Sequence, residues 1–313
     1  MKIKKLIIAS IILMFIISSF SAVTGMSLIK NIKIEKNEYK NTALISSVFC
    51  EFITNSYNIK GIETAKLIQN IYTSNDYNFN YITILSDVNN IASDGLVGYY
   101  NIVGYPTCIF QGGYTTLYNE NPDENIYNEE IVDSQNKYNY NIKIDLERTW
   151  FADCCSAKAF FTITVTNNEA SIYNGILKLY VSEIDSRYNY TYDNTVESFN
   201  YVLIDIPIEQ KITIPPYSNI TIEKTWIASP FLISLDGSNL NAIAVVAKDI
   251  PYIGYSDPPA NKNSFTAYYI DQINSKRIVQ ISKSKSIEDR LNNLQNILNY
   301  FPNINNLIKN IFF

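Results

Sequence analysis

The apolar positions of the chain fall into distinct regimes. Leu6–Val23 is an almost unbroken apolar run that follows Lys2, Lys4 and Lys5. A basic start followed by an apolar stretch is the pattern of a cleaved signal peptide (residues 1–25) or of a retained N-terminal membrane anchor, since 18 residues approach the roughly 20 that span a bilayer. Either reading places the rest of the chain outside the cytoplasm. From residue 42 to 135, short apolar runs alternate with stretches of helical spacing. Thr42–Phe52 and Tyr81–Leu85 read as strands. Ile59–Tyr72, with Ile62, Ala65, Ile68 and Ile71 on one face, reads as a helix. Asp94–Ile102 and the acidic segment Asp123–Asp133 read as two more helices. Between them the short apolar run within Val103–Gly113, after the Tyr105-Pro106 bond, and Tyr114–Tyr118 read as a hairpin turned at Gly112-Gly113. This order predicts an α/β domain over residues 40–135.

The period then changes to two. Tyr140, Ile142, Ile144 and Leu146 alternate with polar residues. Further short strands are predicted at Ala157–Val165, Gly175–Ser182, Tyr201–Ile206, Ile220–Trp226, Leu240–Ala247 and Thr266–Ile273. Regular short strands separated by turn signals predict a β-sandwich over residues 138–281. Ser286–Phe313 returns to helical spacing. Ser286 and Asp289 form a capping signature, Leu291, Leu294 and Leu298 line one face, Pro302 interrupts it, and Ile304, Leu307 and Ile308 resume it. The pattern suits a tail helix docked on its own protein, or contact with a membrane surface or a partner.

Composition narrows the chemistry. The 313 residues include no histidine, which excludes Ser-His-Asp and Cys-His mechanisms and the commonest zinc sites. The net charge of −5 argues against a nucleic-acid partner, because phosphate binding needs a basic face. No motif points to a metal or a cofactor. Asn189-Tyr190-Thr191 and Asn219-Ile220-Thr221 match the N-glycosylation acceptor pattern, which a chain this rich in Asn also produces by chance.

Three segments share one pattern: Val48–Lys60, Gly98–Ile102 and Gly104-Tyr105-Pro106-Thr107. Together they resemble an exported thioredoxin-like domain with a cis-proline loop, followed by an immunoglobulin-like sandwich. In that family the first strand ends in a Trp-Cys-x-x-Cys turn, where the helix dipole lowers the pKa of the first thiol. Here Ser56 stands at the Trp position, and Tyr57 and Lys60 at the two Cys positions. The usual thiol–disulfide exchange therefore has no thiol in the turn. The resemblance implies a peptide-binding groove lined by Tyr57, Lys60, Tyr105, Pro106 and Thr107, and it makes Glu51 a buried-acid candidate. It also places Cys50 and Cys108 on neighbouring strands, as buried free thiols or as a disulfide. Cys154 and Cys155 are adjacent in sequence, so on a strand they face opposite sides. The reading that results is an exported, non-catalytic binding protein with a peptide or protein partner at the cell surface. The alternatives are a thiol oxidoreductase or isomerase working through displaced cysteines, and a membrane-complex subunit held through residues 6–23 and 286–313.

Overall fold

The computed structural model describes residues 47–88, 91–152, 157–228 and 237–280. The expectations for residues 1–25, for Cys154 and Cys155, and for the tail at 286–313 lie outside these. Fourteen strands and three helices follow in order: β1 (Val48–Thr54), α1 (Ile59–Ser74), β2 (Phe79–Leu85), α2 (Ile91–Tyr99), β3 (Thr107–Phe110), β4 (Thr115–Tyr118), α3 (Glu124–Gln135), β5 (Ile142–Ala152), β6 (Ala157–Asn167), β7 (Tyr173–Tyr192), β8 (Thr195–Ile214), β9 (Ser218–Ile227), β10 (Leu240–Lys248), β11 (Tyr252–Tyr255), β12 (Ser264–Ala267), β13 (Ile270–Arg277) and β14 (Val279–Gln280).

The fold class differs from the α/β thioredoxin-like domain and separate immunoglobulin-like sandwich that the sequence suggests. Strands take up 55% of the described residues and helices 18%, so the protein is mainly β. One mixed sheet of eight strands, ordered β13-β10-β7-β8-β2-β1-β3-β4, runs through both parts of the chain. The physical reason is the length of β7 and β8. Each has 20 residues, and their hairpin turns at Asp193-Asn194, both at positive φ. On one flank β10 pairs with Gly175–Glu183 of β7, and on the other Val202 of β8, which stands opposite Glu183, meets β2. There β8 pairs in parallel, with Val202 opposite Thr83, and the Thr83 hydroxyl donates to the Asn200 carbonyl at 2.7 Å.

Strands β11 and β12 form a separate two-stranded sheet, and a four-stranded sheet, β14-β5-β6-β9, stacks on the β13-β10-β7-β8 half of the large one. Trp150, Phe161, Leu177, Leu179, Ala244 and Trp226 fill the space between them. A second core lies under α1 and α3, where Phe52, Ile68, Tyr81 and Tyr127 meet Tyr190, Phe199 and Tyr201 from the tip of the β7–β8 hairpin. A third lies on the opposite face, where Phe49, Ile84 and Leu96 meet Tyr180, Val245 and Phe265. These last two cores are built from both parts of the chain.

Local chemistry fixes the elements around β1. The Asn58 side chain caps α1 by accepting from the Gly61 N–H at 2.7 Å. A Cβ at Gly61 would come within 1.9 Å of Thr54 Oγ1, so glycine lets the helix start close against the end of β1. Asn75 closes the helix in the left-handed conformation, at φ 60.

Candidate functional site

Strands β1 and β2 run in parallel, and their carboxyl ends are drawn together where the Ser86 N–H donates to the Thr54 carbonyl at 2.8 Å. In sheets of this kind, ligands bind beyond the carboxyl ends of parallel strands. Three loops meet at this end. The first, between β1 and α1, carries Ser56, Tyr57 and Asn58. The second follows β2 and supplies Asp87, which accepts from both the amide and the hydroxyl of Ser56. The third holds the Tyr105-Pro106 bond, which is cis.

The Pro106 loop is fixed from two sides. The Thr107 hydroxyl donates to the Gly104 carbonyl at 2.9 Å, and the Asn119 N–H donates to the Pro106 carbonyl at 2.7 Å. Lys60 joins this arrangement. Its Nζ donates to the Asn119 carbonyl at 2.9 Å and to Asn119 Oδ1 at 3.2 Å. A cation in the first turn of a helix meets the unfavourable end of the helix dipole. Here it is turned away onto Asn119, and it ties α1 to the loop. Tyr105 is half-buried and packs on the third core, while Pro106 and Thr107 are buried. Tyr57 is 74% exposed and Ile59 68%. Val103, just before the loop, is 51% exposed. Ile59 and Val103 were not singled out by the sequence pattern, because an apolar residue at a helix start or in a loop carries no signal until its burial is known.

Beneath the loops lies Glu51, wholly buried in mid-β1. One carboxylate oxygen accepts from the Tyr100 hydroxyl, and the other accepts from the Tyr180 hydroxyl at 2.9 Å. Burial raises its pKa above the ordinary glutamate value, against the nearby Lys178 ammonium and the two hydroxyls, which lower it. Tyr100 and Tyr180 are raised well above the usual phenol value, first by burial and then by the Glu51 charge. The cavity beside Glu51, bordered by Tyr99, Tyr100, Lys178, Tyr180 and Tyr268, has a volume of about 20 Å³, space for about one water molecule. Glu51 is thus a satisfied buried acid that binds strand β1 to strand β7.

Cys50 and Cys108 are both free and fully buried. The pairing of β1 with β3 sets Cys50 opposite Phe110 and Cys108 opposite Phe52, so the two thiols share one face as diagonal neighbours. Burial, then the contact with Cys108, pushes the Cys50 thiol well above its usual pKa. A thiol held in that state is not a nucleophile at neutral pH. The glycosylation candidates Asn189 and Asn219 are both exposed, on β7 and β9. Among the described residues no three Cys, Asp or Glu side chains converge as a metal site. No described helix is long and apolar enough to cross a membrane.

No protein-family model matches the chain, and no curated protein matches it. Among solved structures, it is similar to HBP35 of Porphyromonas gingivalis, with a TM-score of 0.53 and 15% identity over 74% of this chain and 75% of that one. Protein AGR_C_4864 from Agrobacterium tumefaciens matches at a TM-score of 0.44 and 10% identity, over 76% of this chain and 97% of that one. Spo0M, a sporulation control protein from Bacillus subtilis, matches at 0.28 and 16%, over 50% of this chain and 55% of that one. The last two scores carry no argument. The likeness to HBP35, at that identity, shows a shared fold and leaves the function to be argued from the residues.

Proposed function

We propose that the protein is a non-catalytic binding protein, exported from the cytoplasm, that engages an extended apolar segment of a protein partner at the carboxyl end of β1 and β2. The observation that carries this reading is the exposure of Tyr57 and Ile59 at the start of α1, which Lys60 and Asn119 tie to the cis-proline loop. Tyrosine is among the residues that carry most binding energy when a partner covers them, and covering Ile59 removes further apolar area from water. The frame here is rigid: α1 is capped, the loop is hydrogen-bonded at both of its shoulders, and Pro106 and Thr107 are buried under it.

The absence of redox chemistry is supported by the same residues. The turn that would hold two thiols in a thioredoxin-like protein holds Tyr57 and Lys60. The cysteines among the described residues, Cys50 and Cys108, are buried, and Cys50 is pushed towards the thiol form. Export is supported by the lysines and the apolar run of residues 2–23.

Reduced and carboxymethylated insulin B chain, an extended peptide with apolar side chains and no free thiol, serves as the probe in a fluorescence-anisotropy titration. Binding to the wild-type protein is expected to weaken about tenfold or more in the Tyr57→Ala, Ile59→Ala double variant. Equal affinity of the two proteins would overturn the proposal, and so would the absence of binding to the wild type.

A further inference from the structure

The outer face of the β14-β5-β6-β9 sheet is polar along most of its length and apolar at one corner. Strand register sets Phe151, Lys158 and Ile227 side by side in one row. Phe160 stands in the next row, between Thr149 and Thr225. The residues adjacent in sequence, Trp150, Ala159 and Trp226, are buried, so strand alternation turns Phe151, Phe160 and Ile227 outward. Phe160 is 46% exposed and Ile227 63%. Phe160 lies diagonally across from both of the others, within reach of large side chains. Further along, the same face carries Lys143, Asp145, Thr164 and Thr221, which need no cover.

The chain itself arrives at this corner. Strand β14 runs parallel to β5, with Val279 opposite Thr149 and Gln280 opposite Trp150, so its last described residue stands one position short of the level of Phe151. Residues 281–313 follow. Their Leu291, Leu294 and Leu298 recur at helical spacing, a stripe that needs an apolar surface. The five residues 281–285 can span about 16 Å when extended. From β14 across β5 and β6 to β9 is three strand spacings, roughly 14 Å, within that reach. Gly237, where the described chain resumes after Ala228, lies on the buried face of the sheet, and a Cβ there would come within 2.1 Å of Trp150 Cδ1.

We propose that the C-terminal segment 286–313 docks on the outer face of this sheet in its own chain, laying the Leu291–Leu294–Leu298 stripe over Phe160 and Ile227. The experiment uses the full-length protein with p-benzoylphenylalanine at position 160, irradiated at dilute concentration, with adducts mapped by mass spectrometry. Adducts from position 160 to residues 286–313 within one chain are expected. Diazirine footprinting of Ile227 gives a second reading. Its labelling is expected to rise several-fold in the Leu294→Asp, Leu298→Asp variant, while the fluorescence of the two tryptophans stays unchanged. Adducts that join two chains would overturn the proposal in favour of a dimer through the same corner. Absence of adducts to the tail would overturn it as well. In that case flotation of the full chain with phosphatidylglycerol vesicles, lost in the same double variant, would assign the stripe to a lipid surface.

Discussion

Replacing Glu51 with Gln probes the polar contact that joins β1 to β7. Glu51 is wholly buried, with Tyr100 on one oxygen and Tyr180 at 2.9 Å on the other. Burial, the largest influence, raises its pKa. The folded protein therefore keeps this proton to a higher pH than the unfolded chain does. The associated stability is fully present below the ordinary glutamate range and is lost as pH rises through the raised value. For one proton the slope cannot exceed about 1.4 kcal/mol per pH unit. Glutamine carries no charge to bury. Its amide oxygen can accept one tyrosine hydroxyl, and its NH2 can donate to the other. In acid the exchange is expected to cost about 1 kcal/mol, the net worth of one hydrogen bond. With rising pH the wild type loses stability that the variant keeps, so the gap narrows. Urea unfolding from about pH 4 to about pH 9, followed through the fluorescence of Trp150 and Trp226, reads the two curves. The buried carboxyl of Asp271 and the half-buried one of Glu130 are also raised by desolvation, and taking the difference between the two proteins removes their common part. A gap that stays constant across the range, or widens with pH, would refute the reasoning.

Other perturbations test other parts of the account. Cys50 and Cys108 are expected to resist a thiol reagent in the native protein and to react in full after unfolding; native reactivity would show that the β1–β3 face opens. At Gly112, with φ +68, a Cβ would lie 2.2 Å from the Tyr268 carbonyl oxygen, so Gly112→Ala is expected to destabilise by about 2 kcal/mol or more, read as a lower urea midpoint. The Trp226 Nε1–H donates to Asp205 Oδ2 at 2.8 Å, so Trp226→Phe is expected to cost about 2 kcal/mol, while Asp205→Asn, which keeps an acceptor, costs less.

Much of the secondary structure is legible in the spacing of apolar residues, because the first helix buries one clear face while β1 to β3 are short apolar runs buried on both. Helix α1 shows this well: Ile62, Ala65, Ile68 and Ile71, spaced three apart, are among its buried residues. The fold class was not legible. The sequence reads β7 and β8 as short strands, since Asp185, Ser186, Arg187, Asn189 and Asn200 interrupt the apolar pattern. In the structure these polar groups are held within the hairpin or by its neighbours. The Asn200 side chain bonds to Ile184 and Asp185, and Arg187 bonds to Glu183. The strands therefore run on through them to the hairpin tip, and Val202, just past Asn200, meets β2. A parallel pairing such as Val202 with Thr83 joins residues more than a hundred positions apart, and no local signal records it. The partners of Glu51 divide in the same way. Tyr100 lies in a segment the sequence singles out, whereas Tyr180 is one of 25 tyrosines, and only the register of the large sheet brings it to Glu51.

The central claim is that binding takes place at the carboxyl end of β1 and β2 without thiol chemistry. Residue-resolved footprinting of the full chain, with and without carboxymethylated insulin B chain, tests it most directly. The account predicts protection of Tyr57, Ile59, Val103 and Tyr105, with no change at the buried Cys50 and Cys108. Protection confined to another surface, or none of these four residues protected while the peptide is bound, would contradict it.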